Sequence, residues 1–242
     1  MSIDANHAAV FARLSAQLLA TRDETVTVHK LVEMSLTLAP EIDYASITVA
    51  EHRRARTLAA TSPVAMRCDA LQYELHEGPC IEALADNEWY RSGDIADDPR
   101  WPRWGPKAAQ EGVRSLLAVR LAAGDVAVGA LNLYSSRPDG FADRETLDLI
   151  FLYALHAAGS FAAAKEFSGL QSAMQNRHTI GVAQGILMHR YGITVERAFE
   201  ILRRYSSTQN VKLRDIAAYV VEHHHLPDMP ADDDLGPVEQ HG

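Results

Sequence analysis

The chain has 242 residues, 47% hydrophobic and 23% charged, with a formal net charge of −9 at pH 7, enough for one large domain or two unequal ones with an ordinary packed core. No uninterrupted apolar run reaches the roughly 20 residues of a membrane span, and residues 1–7 lack the basic and apolar parts of a signal peptide. Two cysteines, Cys68 and Cys80, make no disulfide framework, so a reduced, cytoplasmic setting is expected.

Residues 5–19 place Val10, Phe11, Leu14 and Leu18 at helical spacing, and a second helix is expected over 24–38, stopped by Pro40. The period then shifts to two. Ala45, Ile47 and Val49 alternate with Ser46 and Thr48, then Leu58 and Ala60 with Thr57 and Ala59, which reads as paired strands around a polar turn at 52–56. Gly78-Pro79 opens a short helix that Asn87 can end. A strand over 89–95, a loop at 97–102 and a helix near 106–111 follow, the helix closed by Gly112. Residues 113–121 and 126–134 are β-prone runs joined by the hairpin signal Ala122-Ala123-Gly124-Asp125. Helices followed by a mainly antiparallel sheet predict an α+β domain.

From Asp143 the pattern is helical, with no proline before Pro227. Leu147, Ile150, Ala154, Ala157, Phe161 and Ala164 form an apolar seam, and such a seam left exposed predicts a parallel homodimer through residues 143–165. The helical stretch past Gln171 reaches Tyr191 and ends at Gly192. A helix N-capped by Thr194 runs to about Tyr205, and another covers 211–223. Ile180, Ala183, Leu187 and Tyr191, then Ala198, Phe199 and Leu202, then Leu213, Ile216, Ala217 and Val220 supply the core of a three-helix bundle. The Pro/Asp-rich residues 228–242 read as a disordered tail.

Charge is unevenly spread. Residues 168–227 hold seven Lys/Arg and five His against four Asp/Glu, between an acidic segment and the acidic tail. Local charge, not the total, decides whether a face can approach phosphates.

Two sets of motifs carry a family resemblance. Leu71-Gln72-Tyr73, Glu77-Gly78-Pro79-Cys80, Asp98-Pro99-Arg100-Trp101-Pro102, Gly112-Val113-Arg114-Ser115-Leu116-Leu117 and Gly129-Ala130-Leu131-Asn132-Leu133-Tyr134-Ser135 resemble the GAF domain of actinobacterial GAF–ANTAR proteins, over residues 5–165. Residues 177–188, Ala198-Phe199 with Leu202-Arg203, and Asn210 with Leu213-Arg214-Asp215-Ile216-Ala217 resemble the three helices of an ANTAR domain, over 166–227. The resemblance implies a GAF-type sheet with flanking helices, a long connecting helix and an ANTAR bundle. Its implied function is a signal-responsive transcription antiterminator that binds stem-loop RNA, with a small-molecule ligand in the sensor. Arg177, Gln184, Gly185, His189, Arg190, Arg203, Arg204, Lys212 and Arg214 are the residues expected at RNA. Gln184 departs from the family, which often has lysine there, and removes one cation from that face.

Rival readings stay open on other residues. Some GAF-fold proteins reduce free methionine sulfoxide with pocket cysteines, and Cys80 sits at a helix start that can activate a thiolate. Cys80, Trp101 and Trp104 are candidate pocket residues, the tryptophans serving equally as packing. A basic three-helix unit also fits a DNA-binding helix-turn-helix. His29, His52, His76 and His156 have no ligand spacing, and His223-His224-His225 point in different directions on a helix, so no metal is expected. A nucleotide, a tetrapyrrole or no ligand at all is compatible with the sensor, whose cofactor the sequence leaves unknown.

Overall fold

Alternation along residues 44–51 sends Ala45, Ile47 and Val49 to one side of a strand and Ser46 and Thr48 to the other, and both sides are buried. The reason is a sheet covered by helices on both faces. This computed structural model describes residues 23–51, 54–85 and 89–227. The expected helix over 5–19, the His52-Arg53 part of the first turn, the helix stop at Asn87 and the tail at 228–242 lie outside the described residues. The chain divides into two units, Met1–Ser168 and Gly169–Gly242.

In the first unit β1 (Tyr44–Glu51), β2 (Arg54–Ala60), β3 (Trp89–Ser92), β4 (Ser115–Ala123) and β5 (Val126–Ser135) form an antiparallel sheet in the order β2-β1-β5-β4-β3. Arg54 and Arg56, expected in the turn, belong to β2, paired with Glu51 and Val49. The β4–β5 hairpin turns through Gly124 at φ 60°, a conformation that glycine adopts without strain.

One face of the sheet packs on α1 (Glu24–Ser35) and on the first part of α5 (Arg144–Tyr191). Val28, Leu31 and Val32 meet Ile47, Leu117, Leu131 and Leu133 there. Tyr153 Oη donates to the Leu31 carbonyl at 2.6 Å and ties the two helices together. The seam of α5 is therefore already covered: Ile150, Ala154, Ala157, Phe161 and Ala164 are all buried within this chain. That corrects the reason given for a dimer through 143–165, since the sequence pattern does not say whether a helix's apolar side meets its own sheet or a second copy. By length and composition α5 is also long and apolar enough to cross a membrane, a property that a search for unbroken apolar runs passes over.

The other face carries α2 (Pro63–Leu75), α3 (Pro79–Ala85) and α4 (Trp104–Gln110). Helix α2 is absent from the sequence expectation because its inner side mixes Ala65, Cys68 and Leu75 with buried Asp69 and Gln72, which breaks the apolar period. Its end signals were present: Ser62 accepts from the Val64 and Ala65 amides, and Pro63 occupies the first turn.

In the second unit the end of α5 packs Ala183 and Leu187 against Ala198 and Leu202 of α6 (Val195–Gln209) and Ile216, Ala217 and Val220 of α7 (Leu213–His223). Gly192 at φ 62° ends α5 and Thr194 caps α6, as the sequence predicts. Helix α6 runs on to Gln209 and stops at Asn210 in the left-handed region, so the connection is residues 210–212 and not 206–210. Phe199, expected on the core side, is 38% exposed. Buried Ala198 and Leu202 keep an i, i+4 row, and the residue after Ala198 is turned some 100° from it.

Phe161→Ala should lower the free energy of urea unfolding by about 3–5 kcal/mol, with the molar mass in light scattering unchanged. A loss below about 1 kcal/mol would place Phe161 outside the core.

Candidate functional site

Inside the first unit the polar sides of three strands converge on one carboxylate. Asp69 on α2 is fully buried. Its Oδ1 accepts from Tyr134 Oη at 2.6 Å and Asn132 Nδ2 at 3.2 Å, and its Oδ2 accepts from Thr57 Oγ1 at 2.8 Å. Asn132 Nδ2 also lies 3.1 Å from Ser46 Oγ and from Thr48 Oγ1. The Tyr73 hydroxyl joins Thr48 (2.7 Å) to Thr57 (2.9 Å). Gln72 Nε2 donates to Tyr134 Oη at 3.3 Å, and its Oε1 accepts the Cys80 amide at 2.8 Å, which fixes the start of α3. Gly78 at φ 140° makes room for this, because a Cβ there would overlap the Gln72 side chain.

Burial raises the Asp69 pKa to about 6 even though Tyr134, Ser46, Thr57 and Asn132 stabilise the charged form. Tyr73 and Tyr134 are pushed up as well, by burial and by the nearby Asp69 charge. Both cysteines are free and buried. Burial, reinforced by Asp69, pushes each thiol up to about 12, opposite to what a thiolate nucleophile requires.

The expected pocket residues separate. Trp101 and Trp104 stack edge-on at 5.9 Å in an apolar cluster with Cys68, while Cys80 lies against Thr48 and Asn132 of the polar network. Both indoles are satisfied by protein, Trp101 Nε1 by Glu82 Oε1 at 2.7 Å and Trp104 Nε1 by the Cys68 carbonyl at 3.0 Å. Neither ring is exposed, and neither is Cys80, so a ligand reaching them has to displace side chains. On the opposite side of the sheet a surface groove of about 540 Å³ is lined by Trp89, Val119, Phe151 and Leu155. Asp69 and its partners were not foreseen from the residues alone. The available signal was a run of Ser46, Thr48 and Thr57 on strands otherwise destined for burial.

In the second unit the expected RNA residues fall into groups. Gly185, His189 and Arg190 line a surface groove with Val182 and His224. Arg203 and Arg204 share the solvent face of α6 with Arg197 and Ser207. Lys212 is the N-cap of α7 without a side-chain capping bond, and Arg214 stands in its first turn, 3.3 Å from Asp215. Arg177 is exposed on α5. Two of the nine hold the bundle together: Gln184 Nε2 donates to the Val195 carbonyl at 3.1 Å, and Arg190 Nη1 to the His224 carbonyl at 2.9 Å.

The buried carboxylate has a measurable consequence. The folded chain holds the Asp69 proton more tightly than an unfolded one, whose carboxyl titrates near 3.9. The extra stability is full below about pH 4 and is lost as pH rises through about 6. Between pH 7 and pH 5 urea unfolding of the first unit should gain about 1 kcal/mol, and Asp69→Asn should remove that gain. A gain that survives the substitution belongs to another group.

Comparison with known proteins agrees with this two-part layout. A family model described as GAF domain matches residues 21–160, and one described as ANTAR domain matches residues 168–221. Among solved structures, the GAF domain of a phosphoenolpyruvate-protein phosphotransferase from Coxiella burnetii is similar at TM-score 0.54 and 15% identity, over 69% of this chain and 99% of that one. The GAF domain of the Acinetobacter phosphoenolpyruvate-protein phosphotransferase gives 0.53 and 15%, over 68% and 97%. The free methionine-R-sulfoxide reductase from Neisseria meningitidis, solved with its substrate, gives 0.52 and 15%, over 69% and 96%. At such identities the likeness is one of fold, on which sensors and enzymes both occur. No curated protein matches the chain. Since the GAF model spans more than half of its length, the chain belongs to the GAF domain family, and the ANTAR domain behind that fold gives it the domain content of a signal-sensing regulator.

Proposed function

We propose that the chain is a cytoplasmic, RNA-binding transcription antiterminator, with a GAF sensor over residues 5–165 and an ANTAR output over 166–227. RNA bound by the output stabilises an antiterminator stem-loop over a competing terminator, and no side chain performs chemistry. The observation that carries this reading is the start of α7. Lys212 and Arg214 stand at a helix N-terminus where residue 212 makes no side-chain capping bond, with Asp215 3.3 Å from Arg214 in the same turn. The helix dipole disfavours cations there and favours an anion. In this reading an RNA phosphate at that end meets the helix dipole and Lys212, and competes with Asp215 for Arg214. Arg203 and Arg204 on α6 extend the positive surface.

The buried, protonated thiols speak against the thiol-enzyme alternative. A homodimer remains part of the proposal, no longer through the covered seam of residues 143–165; Leu155 in the first unit, and Leu170 and Met174 in the second, are 66%, 60% and 74% exposed on α5. Leu170→Asp with Met174→Asp should then convert a dimer to a folded monomer in light scattering. A wild-type chain that is monomeric at micromolar concentration removes the dimer.

The central test is filter binding to paired stem-loop RNA across a salt series, with duplex DNA as the competing partner. Arg203→Ala and Arg214→Ala should each weaken RNA binding and reduce the salt slope by about 1. Folded variants with wild-type affinity and slope, or a preference for duplex DNA, would refute the RNA reading.

A further inference from the structure

Phe199 is a large apolar side chain that the second unit leaves partly outside its core, at 38% exposure. Val195, one turn earlier on α6, is 43% exposed. Val211, 37% exposed, is held to the end of the same helix by Ser206, whose Oγ donates to the Val211 carbonyl at 2.7 Å. Positions 195, 199, 203 and 206 follow one another at three- and four-residue steps, so Phe199 and Arg203 are neighbours along one strip of α6. Arg203 is exposed and makes no ion pair among the described residues, whereas Arg197 is bound to Glu200 at 3.0 Å.

An aromatic face with a guanidinium one turn away is a recurrent way to hold a single-stranded nucleotide. The ring stacks on the base, which is sequence-tolerant, and the cation takes the phosphate. A second copy of the chain is the other occupant that an apolar strip can attract. Charge decides between them. Arg203 lies in the strip, Arg204 follows it, and Lys212 follows Val211 in the chain, against Glu196 in the first turn of α6; Glu200 is paired with Arg197, and Asp215 with Arg214. The balance is positive, so a two-fold contact would bring like charges together while a polyanion is attracted.

We propose that Phe199 stacks on an unpaired loop base of the bound stem-loop while Arg203 grips a neighbouring phosphate, so that this pair selects looped RNA over continuous duplex. The proposal rests on the RNA-binding reading above.

The test uses the full chain and stem-loops with 2-aminopurine placed in the loop. Phe199→Ala should weaken binding about 5- to 150-fold, the range for loss of one stacked base, with the salt slope unchanged because the ring touches no phosphate. Phe199→Tyr should restore affinity and loop quenching. Phe199→Leu, which keeps apolar area without a ring, should fold but not restore them. Arg203→Ala should instead reduce the slope. If Phe199→Ala fails to fold, the Leu and Tyr variants decide the matter. Equal binding by the Leu and Tyr variants overturns the stacking role. So does a Phe199→Ala protein that changes molar mass but not RNA affinity, which would assign the strip to a second copy. Loss with Arg203→Ala alone overturns the stacking role but leaves the RNA reading standing. A wild-type chain that binds no stem-loop overturns both.

Discussion

Removing a carboxylate from water costs several kcal/mol unless hydrogen bonds replace the lost hydration, and at Asp69 hydroxyl and amide donors, in place of a cation, offset part of that cost and leave the pKa raised to about 6. Tyr134 and Asn132 come from β5, Thr57 from β2, and Thr48 and Tyr73 link them across β1 and α2. The donors sit on different elements, so the network holds only while strands and helix keep their register. Loss of one donor strands part of a buried charge, whereas an exposed polar group can exchange its protein partner for water at little cost. Gln72 then carries the same order outward to the first turn of α3 through the Cys80 amide.

The motifs behind the GAF resemblance have mechanical jobs. Glu77 Oε1 accepts the amides of Arg103 and Trp104, at 2.7 and 2.8 Å, and so caps a helix 26 residues downstream. Arg100 pairs with Asp98 and lies 4.3 Å over the Trp101 ring. Gly105 has no side chain because a Cβ would collide with the Ile95 carbonyl. Together these interactions hold Glu77 and the loop around Ile95 against the start of α4. The tryptophans that resemble ligand-pocket residues are equally the walls that keep this segment in place.

Much of the fold was legible because burial on one side leaves a period. The β4–β5 hairpin, the Thr194 cap and the Gly192 stop were all visible in the residues themselves. Helix α2 was not, since Asp69 and Gln72 sit on its inner side and imitate an exposed face. For the same reason the network was invisible: a buried hydroxyl and an exposed one look alike in a sequence until the partner strands are known. The seam of α5 was read correctly as apolar but given the wrong partner. In the output unit the set of cations was legible, but not that Gln184 and Arg190 are engaged with backbone carbonyls, because those hydrogen bonds depend on how the helices cross.

The chain has two cysteines, and both lie in the first unit, fully buried and held as thiols. A soluble alkylating reagent therefore reaches sulfur only when that unit opens, by local or global fluctuation. The sensor thus carries its own chemical clock. The rate at which it takes up label reports its opening in the intact chain, with no contribution from the output helices, which have no thiol.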